Sequence, residues 1–335
     1  MYKGLLFLIS FLPCLSVSAQ VRFEPVPTVT HEHLRGLSVV SDSVVWASGT
    51  HATWLRTTDG GLHWVTDTVT GALGMDLRDI HAFDDQRALV MTAGEPGLIF
   101  LTTDGGKMWK KVYENHQPGI FLDGIDFSGD TVGYAFGDPM DGHFFVLKTS
   151  DGGMNWMELN KQMLPSPAGG EAGYAASGTG IVVRNERVWI GTGGPEKSRV
   201  LCSADGGRSW DASETPMRLG DGAGIFSMVF TSDESGVVVG GHYLDSTSTL
   251  GVCAVTTDGG VTWESCSTPP NGYRSCVAAW QNMLVAVGRT GSDVSSDGGQ
   301  TWTAIGTEGY YACHFGKTIG WAVGRGGKMA RILLK

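Results

Sequence analysis

The sequence predicts an all-β chain, a seven-bladed β-propeller with its ring closed by the N-terminal strand on the C-terminal blade. Three observations lead there: a turn motif that recurs six times, apolar strands repeated ahead of each copy, and one unpartnered strand at each end of the chain.

The turn motif is [Ser/Thr]-x-Asp-Gly-Gly-x-x-Trp, an Asp box. Its copies run from Thr57 to Trp64, Thr102 to Trp109, Thr149 to Trp156, Ser203 to Trp210, Thr256 to Trp263 and Ser295 to Trp302. The aspartates, Asp59, Asp104, Asp151, Asp205, Asp258 and Asp297, follow one another at 45, 47, 54, 53 and 39 residues. Each residue type has a reason at the level of the turn. Aspartate accepts hydrogen bonds from backbone amides just ahead of it, paired glycines supply positive φ, and the tryptophan opens the next strand and fills the wedge between sheets. The aspartates therefore read as hairpin staples rather than as catalytic or metal-binding groups.

Ahead of each box lies an apolar strand ending in glycine, as in Val44 to Gly49, Gly133 to Gly137, Val188 to Gly191 and Met283 to Gly288. Ahead of that lies a shorter apolar run, as in Leu37 to Val40, Ile80 to Phe83 and Phe226 to Phe230. Inner strand A, strands B and C, the box and outer strand D make one four-stranded blade. The seventh unit has no box. Tyr311 to Phe315, Ile319 to Gly324 and Lys328 to Leu334 supply A, B and C, and Val21 to Val26 is the strand left over to serve as D. Pairing the two ends removes both exposed sheet edges.

Composition agrees with many short strands and tight turns: 50 glycines, 11 tryptophans and only 17% charged residues. The first residues read as an export leader. Lys3 precedes the apolar stretch Leu5 to Leu12, and Val17-Ser18-Ala19 places small residues for cleavage after Ala19. That stretch, interrupted by Pro13, is too short to span a bilayer, and Phe11-Leu12-Pro13 before Cys14 does not suit a lipoprotein site. The expected product is a secreted or periplasmic, non-membrane-spanning monomer comprising residues 20–335 as a single propeller domain. The full chain's formal charge of −10, which becomes −11 once Lys3 is removed with the leader, argues against nucleic acid as a partner. Beyond the leader there are five cysteines, Cys202, Cys253, Cys266, Cys276 and Cys313, an odd number in no metal-binding or C-x-x-C spacing. Cys253 and Cys266 flank the fifth box symmetrically, so they face each other across a hairpin, either as a bridge or as two free thiols. No metal or cofactor is expected.

The run of Asp boxes resembles the bacterial neuraminidase repeat of sialidases and sortilin-type receptors. A closer resemblance is to the propeller family of the photosystem II assembly and stability factor, whose blades read Gly-Trp-Ala-Val-Gly ahead of the box, as Gly320 to Gly324 do here. That resemblance implies a binding propeller that engages assembling membrane-protein subunits through an arginine-rich face. An oxidoreductase is unsupported by any G-x-G-x-x-G, haem C-x-x-C-H or C-x-x-C motif.

Strand direction puts the starts of the A strands and the B–C loops at one end, the top. The A-strand starts align as Arg35, Arg78, Asp123, Tyr174, Phe226, Arg274 and Tyr311. The B–C loops add His51, Glu95, Asp138, Asp141, His143, Glu196, Arg199, His242, Tyr243, Arg289 and Arg325. Blades six, seven, one and two thus carry five arginines (Arg274, Arg289, Arg325, Arg35 and Arg78), opposite Asp123, Asp138, Asp141 and Glu171. Fixed guanidinium forks suit a carboxylate or phosphate on a protein or anionic partner. The competing reading is a rim of solvated charge and internal ion pairs. A second alternative is a sialidase-like hydrolase or lyase on an anionic glycan, with Tyr311, Glu308 and Asp123 as its catalytic groups. The Arg-Ile-Pro motif of sialidases is absent, since Arg35 stands in His33-Leu34-Arg35-Gly36. Gly137 to Gly142 reads as a plain turn, and Pro165 to Gly173 and Gly240 to Leu250 as extended top loops.

Overall fold

A computed structural model describes residues 21–334; the expected leader and its cleavage point lie outside the described residues. Seven four-stranded antiparallel sheets are arranged as blades. Blade one comprises Leu34–Val39, Val45–Gly49, Thr53–Thr57 and Val65–Thr68; blade two, Asp76–Ala82, Ala88–Ala93, Gly97–Thr102 and Lys110–Asn115. Blade three comprises Leu122–Ser128, Val132–Met140, His143–Thr149 and Met157–Glu158; blade four, Ile181–Arg184, Arg187–Gly191, Arg199–Ser203 and Asp211–Glu214. Blade five comprises Ala223–Phe230, Gly236–His242, Cys253–Thr256 and Glu264–Ser265; blade six, Cys276–Trp280, Met283–Gly288, Gly291–Ser295 and Thr303–Gly306. Blade seven takes Ala312–Phe315, Gly320–Val323 and Met329–Leu334 from the C-terminus and Val21–Pro25 from the N-terminus. The closing pair runs from Val21 opposite Leu334 to Pro25 opposite Ala330. Pro25 is tolerated because this strand is the outer edge of its sheet.

Burial falls from the axis outward. Strand B of blade one is buried throughout and strand D is exposed throughout, which is why B strands read as continuous apolar runs. The apolar side chains group into wedges between successive blades, and one cluster spans blades six, seven and one.

The boxes make the hydrogen bonds their residues imply. In the first, the Thr57 hydroxyl donates to Asp59 (2.8 Å) and accepts from Gly61 N–H, while Asp59 accepts from His63 N–H (2.9 Å). The same three bonds recur in the other five. Donors four residues on, the side chain in four boxes and the backbone N–H of His63 or Met108 in the other two, lead in holding every box carboxylate below its usual range. The second glycine of each box also seats the hairpin on the preceding blade. A Cβ on Gly61 would come 2.3 Å from the Trp321 ring of blade seven, against which Trp64 packs edge-on at 5.3 Å.

Blade one is tied to blade seven by Asp42, which accepts from Thr318 N–H, its hydroxyl and Ile319 N–H. Cys253 and Cys266 are bridged, with a Cα–Cα distance of 5.8 Å, and Cys202, Cys276 and Cys313 are free. Asp141 and Gly142 form a tight positive-φ hairpin closed by the pairing of Met140 with His143, the turn expected there. No helix among the described residues is long and apolar enough to cross a membrane.

Blade four departs from the expected alignment. Its inner strand begins at Ile181, not near Tyr174, and residues 174–180 run across the central channel instead. Arg78 Nη1 donates to Ala175 C=O (3.0 Å) and Arg35 Nη1 to Ala176 C=O (3.5 Å). The Ser177 hydroxyl donates to Ser275 C=O on blade six (2.8 Å), and Met228 N–H of blade five donates to Thr179 C=O (2.8 Å). Gly178, at φ +77°, lies against the Asp79 carboxyl, 2.0 Å from where a Cβ would stand. This segment divides the channel into an upper mouth and a lower cavity.

Candidate functional site

The mouth is built from the tops of the inner strands. In blades one, two, three and five the A–B register slips by one residue at the top. The bulged residues are Arg35, Arg78, Asp123 and Phe226, and a bulge re-aims a side chain out of the regular alternation. Blades six and seven have no such bulge. Ser275 N–H and Tyr311 N–H make equivalent bonds to Val287 C=O and Val323 C=O, so Ser275 and Tyr311 are the matching positions.

Arg274 is therefore one residue out of step with the ring, and a one-residue slip turns a strand side chain to the other face. It is 1% exposed and pairs with the equally buried Asp293 (2.5 Å). It also donates to the backbone carbonyls of Tyr273 and Asn271 and to the Thr290 hydroxyl. The expected place of Arg274 in the ring is corrected: this guanidinium is an internal strut.

A cavity of about 360 Å³ occupies the mouth. Three arginines (Arg35, Arg78, Arg289) and five aromatics (Tyr174, Phe226, Tyr243, Tyr273, Tyr311) line it, with Ser275 and the floor residues Ala175 and Ala176. No aspartate or glutamate is among the lining residues. The Arg35 guanidinium lies 4.4 Å above the Tyr311 ring. Burial, and next the neighbouring charge of Arg78, push its pKa down, so an anion placed between the two would be favoured. Arg78 also reaches Asp76 (3.3 Å). Arg289 is exposed and donates to Tyr243 C=O (2.7 Å). Tyr174 stacks on Phe226 at 4.1 Å and Tyr273 meets Phe226 edge-on. The result is an aromatic wall beside a cationic one.

The remaining expected residues are dispersed. Asp123 is 1% exposed beneath Gly173, and neither of its oxygens has a well-formed hydrogen bond. Burial, and next Asp138, hold its pKa well above the carboxylate range. Asp138 accepts from Gly173 N–H (3.0 Å), anchoring the start of the crossing segment. Glu171 is buried against Arg199 in another internal pair. His242 Nδ1 accepts from Leu244 N–H and orders the loop that presents Tyr243. Arg325 is exposed in a short 3-10 turn and does not line the mouth. Of the hydrolase trio, Tyr311 lines the mouth, Asp123 is sealed below it, and Glu308 is exposed on the surface, paired with Lys328. Tyr273 and Ser275 were missed because the unbulged register of blade six leaves no local mark. The floor residues were missed because alanines and serines carry no signal for crossing a channel.

Below the floor, a second cavity of about 400 Å³ is lined by Ser38, Asp79, His81, Asp126, Thr179 and His314 among others. Several of these side chains cap the free N–H edge of the next inner strand. Ser38 accepts from Ala82, Asp79 from Ile125, Asp126 from Val183, and His314 Nδ1 from Val39, at 2.7–3.0 Å. Ser227 does the same for Val277. Burial pushes the Asp79 pKa up to about 8 and the Asp126 pKa to about 7, and lowers that of His81 to about 3.

Comparison with known proteins gives the same picture. The model of a family described as "Photosynthesis system II assembly factor YCF48" matches residues 16–120. YCF48 from Cyanidioschyzon merolae is similar in structure, with a TM-score of 0.67 and 17% identity over 93% of this chain and 98% of that one. A structure of YCF48 bound to D1 peptide has a TM-score of 0.62 and 18% identity, over 96% of this chain and 99% of that one. A sialidase of Micromonospora viridifaciens is 27% identical over 280 residues, covering 74% of this chain and 39% of its own. The chain spans well under half the length of the curated relatives it matches. The resemblance read from the repeats stands: this is a seven-bladed Asp-box propeller similar to the photosystem II assembly factor.

Proposed function

We propose that this chain is an exported, non-enzymatic binding propeller with an assembly-factor-like role, its leader cleaved after Ala19, that holds a carboxylate-bearing protein or other anionic partner in its upper mouth. The observation that carries this reading is the convergence of Arg35, Arg78 and Arg289 on one cavity without a lining carboxylate. Guanidinium forks held by bulged strands and an aromatic wall are pre-shaped for a planar anion with an apolar neighbour. The YCF48 structure with a bound D1 peptide supports a protein as the partner.

The test is fluorescence anisotropy with a labelled acidic peptide at rising salt. The double variant Arg35→Ala/Arg289→Ala is expected to weaken binding at least about tenfold, with its melting temperature unchanged within a few degrees. Lysine at both positions restores binding only in part, because fork geometry is lost. Unchanged binding by the alanine variant overturns the proposal. A hydrolase acting on an anionic glycan would instead cleave a fluorogenic sialoside and lose that activity in Tyr311→Phe. The scattered trio gives that reading little support.

A further inference from the structure

Around the channel, the free N–H edge of an inner strand is capped by an acceptor from the preceding blade. That acceptor is oxygen or imidazole nitrogen at six seams: Ser38, Asp79, Asp126, Ser227, His314 and the Thr179 carbonyl. At the seam between blades six and seven it is sulfur. Cys313 N–H donates to Cys276 Sγ at 3.3 Å, and the two sulfurs lie 3.9 Å apart. A thiol is a weaker acceptor than the groups used elsewhere, so capping alone does not account for a second thiol aimed at the first. A tie between these two residues would close a loop across 37 positions of the chain, which restricts the unfolded ensemble.

We propose that Cys276 and Cys313 form a dithiol site that a disulfide oxidant converts to a cystine joining the inner strands of blades six and seven. Cys313 lines the lower cavity, whereas Cys276 lies behind it. Once Cys276 has released its proton to solvent, Cys313 passes its own proton to the Cys276 thiolate and attacks a sulfur of the oxidant RSSR, forming a mixed disulfide and releasing one thiolate. Cys276 then attacks Cys313 Sγ, displaces the second thiolate and closes the cystine. The two thiol protons end on the two released RSH molecules, and two electrons reduce one RSSR. Access to the cavity, not acidity, sets this order, since the oxidant reaches Cys313 first while Cys276 is the more acidic thiol. Its bonds to Cys313, offset in part by burial, draw the Cys276 thiol down to about 7, while the adjacent Cys276 sulfur and burial push Cys313 well up. With Cys253 and Cys266 already bridged, oxidation would leave Cys202 as the one thiol beyond the leader.

The test uses the full chain carrying Cys202→Ser. It is exposed to cystamine once as the folded protein and once during refolding from denaturant, then blocked with N-ethylmaleimide and digested without reduction. A peptide linking Cys276 to Cys313 in either arm is the expected result, together with an unfolding midpoint that rises on oxidation and falls back on reduction. Cys276→Ser and Cys313→Ser each abolish the link and leave the remaining thiol open to alkylation in denaturant. The proposal is overturned if both thiols are alkylated in both arms, or if a cystamine adduct persists on either cysteine without passing to the other. The linked peptide is read on the native pair, so a variant that misfolds does not decide the question.

Discussion

Replacing Arg274 by alanine separates an arginine that holds the fold from those that serve the mouth. Its guanidinium pairs with Asp293 at 2.5 Å, and both side chains are 1% exposed. Truncation leaves the Asp293 carboxylate inside the blade with one remaining partner, Asn271 N–H at 3.2 Å, and removes donors from two carbonyls and a hydroxyl. Removing one member of a buried ion pair costs about 3–5 kcal/mol. For a chain this long, that corresponds to a fall of roughly 5–8 °C in melting temperature. Urea unfolding followed by tryptophan fluorescence measures the loss as a shift in midpoint at constant slope. The double variant Arg274→Met/Asp293→Leu removes both charges and should recover most of that loss, because it is the orphaned charge that costs most. Arg35→Ala should move the midpoint by less than about 1 kcal/mol, since its bonds are a long contact to Ala176 C=O and a stack on Tyr311. If Arg274→Ala loses less than about 1 kcal/mol while peptide binding collapses, the assignment of Arg274 as a strut is wrong.

Deleting residues 21–25 strips the outer strand from blade seven and the Phe23–Tyr310 stack with it. Circular dichroism melts should show global destabilisation, and a melt matching that of the full chain would refute the closure argument. Gly178→Ala forces a Cβ into a +77° φ and onto the Asp79 carboxyl. A loss of at least about 2 kcal/mol is expected from denaturant titration, and an unperturbed midpoint would mean that the crossing segment is not held as described. Burial raises the Asp79 and Asp126 pKa values to about 8 and about 7, so the folded state binds protons that the unfolded state has released. Their contribution is fully present below about pH 4 and is lost as pH rises through about 7–8. Urea midpoints across that window should fall with pH, and less steeply in Asp79→Asn; an identical slope in the variant would exclude Asp79 as the source.

The parts of this fold that were legible in the sequence are those determined within a few residues. An Asp box is complete in eight positions, so its hydrogen bonds are implied by the residues themselves. The closing strand was legible because sheet edges demand partners and only Val21 to Val26 remained. Symmetry about one hairpin set Cys253 opposite Cys266 but left a bridge and two free thiols both open, and the structure shows the bridge. The mouth was only partly legible. Arg35, Arg78 and Phe226 project from bulges, and the alignment placed them correctly. Blade six lacks the bulge, so the same counting shifted attention from Ser275 to Arg274, a buried partner of Asp293. The floor of the mouth depends on contacts between residues 174–180 and four other blades, and no local pattern in Tyr-Ala-Ala-Ser-Gly-Thr-Gly encodes that crossing. Cys276 and Cys313 are likewise brought together only by the packing of blade seven against blade six.

The crossing segment explains why the charged mouth is a pocket rather than the end of a tunnel. Arg35 and Arg78 each direct one nitrogen down onto its carbonyls, and Arg78 is held further by Nε and Nη2 bonds to Asp76, which restrains both guanidiniums at the mouth. An arriving anion thus meets forks whose side-chain entropy has already been lost, which favours tight binding. The same anchoring couples the mouth to the lower cavity, because Gly178 and Thr179, a few residues past those carbonyls, touch Asp79 and the Cys276 sulfur. A change in the floor caused by ionisation of Asp79 would therefore be felt at the arginines. Peptide affinity should weaken above about pH 8. Anisotropy titrations at pH 6 and pH 9, with Asp79→Asn as the control that removes the difference, measure this coupling; equal affinities at both pH values would show that floor and mouth act independently.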